Sequence, residues 1–138
     1  MEIQVLKKIK QQGNRLTKPR KLISEIFTKV KYPLTAQEIQ SLLKNENINI
    51  DLTSVYRTIN LLVSAGLIDK IDWGDGRKRY EIVRSEKHHH HLVCDNCGTV
   101  ENIVFKDEQW LIDRIKKKIK FQIKRHSLEF FGLCQKCH

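Results

Sequence analysis

The sequence predicts an α+β fold in two parts: a winged helix-turn-helix domain over residues 1–84, then a small α/β dimerisation domain over residues 85–138. Three observations carry this. Helical apolar patterns fill residues 3–65 and give way to two alternating stretches around Trp73-Gly-Asp-Gly76. All four cysteines and all six histidines lie at or beyond residue 88. The net charge of +10 is uneven: residues 1–87 hold 17 Lys and Arg against 10 Asp and Glu, while residues 88–138 hold 9 against 6. A strongly basic small protein usually meets a polyanion, most often nucleic acid. Charge for nucleic acid and ligands for metal are thus segregated along the chain. No Pro/Gly/Ser-rich linker separates them, so the joint near residues 84–88 is expected to be short.

The elements follow in order. Ile3, Leu6 and Ile9 recur at helical spacing, and Gly13-Asn14 stops that helix. Thr17 reads as an N-cap with Pro19 in the first turn. Leu22, Ile23, Ile26, Phe27 and Val30 share one face of the helix that follows, which Pro33 closes. Thr35-Ala-Gln-Glu38 fits a capping box ahead of Ile39, Leu42 and Leu43. In residues 51–65, Val55, Ile59, Leu62 and Val63 fall on one face; Thr53, Ser54, Arg57 and Asn60 fall elsewhere, with Tyr56 at the border. Gly66 ends this helix. Residues 67–72 and 77–83 alternate around the Gly-Asp-Gly hairpin signal. Three helices and a hairpin make the winged helix-turn-helix plan, whose last helix enters the major groove. Its polar face offers hydroxyls, an aromatic ring and one arginine, a set suited to phosphates, thymine methyls and guanine edges.

In the second half, Cys94-x2-Cys97 and Cys134-x2-Cys137 are two pairs suited to a four-cysteine structural zinc site, because zinc takes four thiolates in a tetrahedron and each turn supplies two. The competing pattern, Cys134-x-x-Cys137-His138 as a c-type haem attachment, lacks an export signal and ignores the first pair. Leu92 and Val93 mark a strand through residues 88–94. Alternation puts His88 and His90 on one side and His89 and His91 on the other, so one histidine run can feed two metal sites. Residues 106–120 read as a helix with Trp110, Leu111, Ile115 and Ile119 as its apolar face and Lys116-Lys-Lys118 as its solvated side. Residues 121–131 read as a strand ending at Gly132. A strand pair and one helix leave apolar faces for a second copy to cover, so a dimer is expected.

No apolar run approaches the ~20 residues of a membrane span. The N-terminal stretch lacks the apolar core and cleavage site of a signal peptide. The expected compartment is the reducing cytoplasm, where four cysteines favour metal over disulfides. A zinc hydrolase or deaminase would need H-E-x-x-H or H-x-E with a downstream P-C-x-x-C, and neither is present; no enzyme activity is expected. A metal buffer would not need the basic first half.

The chain resembles the ferric uptake regulator family of bacterial metal-sensing repressors. The words that carry the resemblance are Leu16-Thr-x-Pro-Arg20, Leu34-Thr-Ala, Thr53-Ser-Val-Tyr-Arg-Thr58, Gly66-Leu-Ile, Arg79-Tyr-Glu81, His89-His-His-Leu-Val-Cys-x-x-Cys-Gly98, His126-Ser-Leu and Gly132-x-Cys-x-x-Cys137. They span nearly the whole chain in family order. The resemblance implies a structural zinc on Cys94, Cys97, Cys134 and Cys137. It implies a regulatory hinge site on Glu81, His89 and His91, with Asp69 as in zinc-sensing members. A further site in the dimerisation domain takes His88, His90 and His126 with a helix carboxylate, which falls on Glu108 or, by a different count, on Gln109; Glu108 is preferred. Tyr56 and Arg57 match base-contacting residues and Arg15 a minor-groove residue; Arg20, Thr53 and Ser54 complete the candidate DNA contacts.

One departure bears on the sensor. Iron-type members often supply a histidine just before the Leu34-Thr-Ala segment, where this chain has Tyr32-Pro33, and no histidine precedes residue 88. A nitrogen-rich site suits zinc better than hard cations, and iron(II) also accepts imidazole; zinc and iron(II) are the expected regulatory metals, with manganese third. The expected function is a metal-dependent repressor of metal-homeostasis genes, a homodimer on a near-palindromic operator in double-stranded DNA. The alternatives are a peroxide-sensing regulator of the same family and a small zinc-binding protein.

Overall fold

The computed structural model describes residues 2–84 and 88–138, and the chain divides into two units, Met1–Ser85 and Glu86–His138. The joint expected at residues 84–88 falls largely on residues 85–87, outside the described residues. The architecture is α+β, four helices and a hairpin followed by a three-stranded sheet with one helix. No helix among the described residues is long and apolar enough to cross a membrane.

In the first unit, helix α1 (Glu2–Gln11) buries Val5 and Ile9, while Ile3 is 70% exposed. The buried stripe is therefore centred on the i, i+4 pair Val5 and Ile9, which leaves Ile3 well off its axis. Helix α2 (Lys18–Lys29) buries Ile23 and Phe27. Thr17 holds the N-cap backbone geometry, yet its side chain makes no capping bond. Pro19 in the first turn has already removed one of the N–H groups that such a cap would serve. Helix α3 (Ala36–Asn45) opens on a complete capping box: Glu38 N–H donates to Thr35 Oγ1 at 3.2 Å, and Thr35 N–H donates to Glu38 Oε2 at 2.7 Å. Thr35→Ala is expected to lower the thermal stability of this unit by about 0.5–2 kcal/mol, read as a shift in the denaturant midpoint at unchanged slope.

Helix α4 (Leu52–Ser64) starts on Asp51, whose carboxylate accepts from Ser54 N–H at 2.9 Å. Val55, Thr58, Ile59 and Leu62 are buried against the rest of the unit. Gly66, at φ +64, closes the helix in a Schellman turn, with Leu67 N–H on Leu62 O and Gly66 N–H on Val63 O. Strands β1 (Ile68–Asp72) and β2 (Lys78–Ile82) then pair antiparallel, Asp69 opposite Glu81. Leu34, between α2 and α3, joins the hairpin by a two-bond bridge to Tyr80. This pins the wing to the three-helix core of Ile23, Phe27, Ile39, Leu43, Val55 and Ile59.

The second unit is built differently. Strand β3 (His90–Cys94) lies between β4 (Val100–Ile103), antiparallel, and β5 (Glu129–Gly132), parallel. The sequence reading anticipated a strand pair and did not assign β4, whose four residues carry too short an alternation. Helix α5 runs over Gln109–Lys118, shorter than residues 106–120, because Glu108 sits at its N-cap and Ile119 turns extended. The long strand expected over residues 121–131 reduces to Glu129–Gly132; β3 offers a partner to only four residues, and an unpaired extension gains no ladder bonds. Trp110 is 60% exposed and lies off the stripe of Leu111 and Ile115. Among the described residues of this unit, those buried are His90, His91 and Cys94. Its interior is made of imidazoles and a thiol rather than of apolar side chains.

Candidate functional site

The cysteines come together through two turns. Strand β3 ends on Cys94, and Gly98, at φ +73, lets the chain reverse so that Gly98 N–H reaches Cys94 O at 2.9 Å. Asp95 N–H donates to Gly132 O at 2.8 Å, which ties this turn to the end of β5 and to the second pair. All four Sγ atoms lie within 4.8 Å of one another, with Cys97 and Cys134 3.6 Å apart. A tetrahedron of sulfurs at ~2.3 Å from zinc has edges of about 3.8 Å, so the donor set and its spacing fit zinc.

Backbone N–H groups of Cys97 and Cys134 point at the Cys94 sulfur and hold its thiol down at about 6. The Cys134 N–H lies 3.3 Å from it. Cys97 is lowered too, first by the Thr99 hydroxyl. Thr99 and Asn96, which donates to Cys137 Sγ at 3.3 Å, support the cluster. Sequence reasoning passed over both, since neither residue type signals metal by itself.

A second cluster joins three segments of the same unit. His90 Nε2 is 2.7 Å from Glu108 Oε1, and His126 Nε2 is 2.7 Å from Glu108 Oε2. His88 Nε2 is 3.0 Å from His126 Nε2 and 3.5 Å from Glu108 Oε2. Glu108, at the head of α5, is the carboxylate that meets the histidines. Gln109 instead bonds Asp113 at 2.8 Å along the helix. Burial pushes the Glu108 carboxyl up, but the bonds from His126 and His90 outweigh it and leave it below the usual range. Burial pulls His88 down, which favours its neutral, ligating form. Leu128 N–H lies 3.1 Å from His90 Nδ1, a contact that orients the ring so that Nε2 points towards Glu108. Three imidazoles and one carboxylate with their ligand atoms inside 4.8 Å make a donor set that zinc, iron(II) and manganese(II) all accept.

The remaining expected ligands are placed within their own units. Asp69 and Glu81 are register partners on the wing hairpin. His89 and His91 have ring centroids 5.2 Å apart on the other side of β3 from His88 and His90, whose centroids are 4.5 Å apart. The alternation of the histidine run therefore holds in three dimensions.

On α4, Thr53, Tyr56, Arg57 and Asn60 are exposed while Val55 and Ile59 face inward. Tyr56 is 38% exposed and its hydroxyl accepts from Gln37 Nε2 of α3 at 3.4 Å. The Ser54 hydroxyl is committed to Asp51 at 2.6 Å, which leaves it an acceptor rather than a free donor. Arg15 is exposed, and its carbonyl accepts from Arg20 Nη1 at 2.6 Å, so Arg20 shapes the entry to α2.

Comparison with known proteins agrees with this geometry. The sequence model of the Ferric uptake regulator family matches residues 11–131. The ferric uptake regulation protein of Bacillus subtilis (strain 168) is 39% identical over 111 residues, covering 76% of this chain and 72% of that protein. The Vibrio cholerae ferric uptake regulator crystal structure superposes with a TM-score of 0.80 at 29% identity, covering 91% of this chain and 96% of that one. A zinc-bound manganese uptake regulator superposes with a TM-score of 0.77 at 31% identity, covering 94% and 98%. Over residues 11–131 the match is to one family model, and this chain belongs to the ferric uptake regulator family.

Proposed function

We propose that the chain is a cytoplasmic homodimer that represses metal-homeostasis genes by binding a near-palindromic operator when its sensor residues hold zinc or iron(II). Family membership makes it a metal-responsive transcriptional regulator. Its relatives are regulators rather than enzymes. The observation that carries the metal half of the reading is the pair of donor clusters, thiolate and imidazole, within one small unit.

In this reading Cys94, Cys97, Cys134 and Cys137 hold a structural zinc. Asp69, Glu81, His89 and His91 take the regulatory cation, and His88, His90, Glu108 and His126 take a further one. Asp69 and Glu81 pair in register across β1 and β2, which puts both carboxylates on one face of the hairpin and supports them as ligands. Zinc and iron(II) are preferred to manganese for the nitrogen-rich sets. When bound, the cation supplies charge neutralisation and fixed geometry. To favour DNA binding it must bind the operator-competent arrangement more tightly than others. The peroxide-sensing alternative is the weaker one, since the Bacillus subtilis ferric uptake regulation protein is 39% identical and the peroxide operon regulator of the same organism 27%.

Thr53, Ser54, Tyr56 and Arg57 read bases and phosphates from α4, and Arg15 and Arg20 hold the approach. Arg57→Ala is expected to weaken specific binding by ~1–3 kcal/mol while changing binding to scrambled duplex far less. Equal loss on both duplexes contradicts base readout. The decisive experiment titrates zinc and iron(II) into the purified protein with inverted-repeat DNA and follows the shift of the duplex. Metal-stimulated, sequence-selective binding supports the reading. Failure to bind any duplex with either metal refutes it.

A further inference from the structure

Helix α5 and the segment after it carry a charge pattern that neither metal site uses. Arg114, Lys116, Lys117 and Lys118 lie on α5, and Lys120, Lys124 and Arg125 follow it. All seven are exposed. None of them enters an ion pair with another described residue, and no Asp or Glu occurs between residues 114 and 128. The acids of residues 88–138 lie elsewhere, at Asp95, Glu101, Asp107, Glu108, Asp113 and Glu129. A solvated helix end accounts for part of the pattern, because cations in the last turn suit the helix dipole. It does not account for Lys120, Lys124 and Arg125, which lie beyond that turn.

On a helical projection Lys117 lies opposite the apolar stripe of Leu111, Ile112 and Ile115, Arg114 and Lys116 flank it, and Lys118 falls beside Leu111 and Ile115; Leu111 and Ile112 are half-buried. The four cations on α5 fall within about 6 Å of helix rise, a stretch over which duplex DNA carries about three to four phosphate charges. An anionic membrane would instead be met by the apolar stripe, and Leu111 and Ile112 are already half-buried within the unit.

We infer that this cationic face of the second unit is an accessory contact for the phosphate backbone of the bound duplex, adding affinity without sequence preference. The inference rests on the DNA-binding reading above. Both units carry net positive charge, +7 over residues 1–87 and +3 over residues 88–138, and the first unit brings the duplex to the second at high effective concentration.

The test compares the full, metal-loaded chain with Lys117→Gln/Lys118→Gln/Lys124→Gln on an inverted-repeat duplex and on a scrambled one, between about 50 and 200 mM salt. The slope of log affinity against log salt is expected to become shallower by up to about five in the variant, since three lysines are lost from each of two chains. The ratio of operator to scrambled binding is expected to stay unchanged, because phosphate contacts carry no sequence information. A Lys117→Arg/Lys118→Arg/Lys124→Arg protein should recover the wild-type slope, and zinc content with circular dichroism checks that each variant is folded. A wild-type slope in the glutamine variant overturns the inference and leaves the DNA-binding reading standing. Failure of the wild-type protein to bind any duplex overturns both. Loss of binding to vesicles of acidic phospholipid, with the DNA slope unchanged, overturns it in favour of a membrane surface.

Discussion

A Cys134→Ser protein is expected to lose its tightly held zinc and, with it, the ordered structure of the second unit, while the first unit stays folded. The asymmetry follows from where each unit keeps its interior. The first buries a continuous apolar cluster from Val5 to Ile82. The second buries His90, His91 and Cys94, and leaves Phe121, Phe130, Phe131 and Leu133 exposed. Small units with so little apolar interior usually depend on a metal or an oligomer. A structural zinc contributes on the order of 10–16 kcal/mol of apparent binding energy, more than any packing this unit has. Cys134→Ser removes one of the four sulfurs, 3.6 Å from Cys97, and keeps the backbone N–H that reaches Cys94 Sγ, so the effect reports the lost thiolate alone. The check is zinc per chain by elemental analysis with amide hydrogen exchange resolved along the chain. Residues 88–138 should lose protection and residues 18–64 should keep it. Full zinc content with protection intact in both units would show that the cysteines are not a structural site.

What the sequence made legible divides along the same line. In the first unit the signals were local and redundant. Thr35 and Glu38 announce a capping box three residues apart, Gly66 a helix stop, and Gly74 and Gly76 a hairpin loop, and each device occurs in the structure. Ile3 misled because three apolar residues at helical spacing do not say which of them the neighbouring helix covers. In the second unit periodicity carried less, since the fold is organised around side-chain chemistry. The spacing of the cysteine pairs and the alternation of His88 to His91 were readable because they are covalent facts of the chain. The extents of α5 and β5 were not. Lys106 and Phe121 sit in patterns that continue past the element ends, and the ends are set by what β3 can pair with and by Glu108 turning to the histidines. Glu108 itself was ambiguous by one residue in sequence counting; in the structure Glu108 lies against His90 and His126, while Gln109 bonds Asp113.

The second large effect is expected at the sensor. A His89→Ala/His91→Ala protein should bind operator DNA no better with added zinc or iron(II) than without, while retaining the cysteine-bound zinc and its dimeric state. Coupling between an effector and a second ligand typically spans about 5–150-fold, so the metal-stimulated gain should collapse from that range to about one. The argument is thermodynamic. A cation can shift the protein towards its DNA-competent arrangement only through ligands whose affinity differs between arrangements. His88, His90, Glu108 and His126 all belong to one unit and are brought together within it. A cation there has little reason to discriminate between placements of the recognition helices. His89 and His91 lie on the opposite side of β3 from that cluster, and the proposed partners Asp69 and Glu81 lie on the wing. A ligand set drawn from both units is the one whose geometry changes when the units move. Glu108→Ala is the matching control: it should reduce metal stoichiometry while leaving most of the metal-stimulated gain. Fluorescence anisotropy of a labelled operator, titrated at fixed protein and rising metal, reads both variants. If the double variant keeps its metal response and Glu108→Ala abolishes it, the regulatory role belongs to the other cluster.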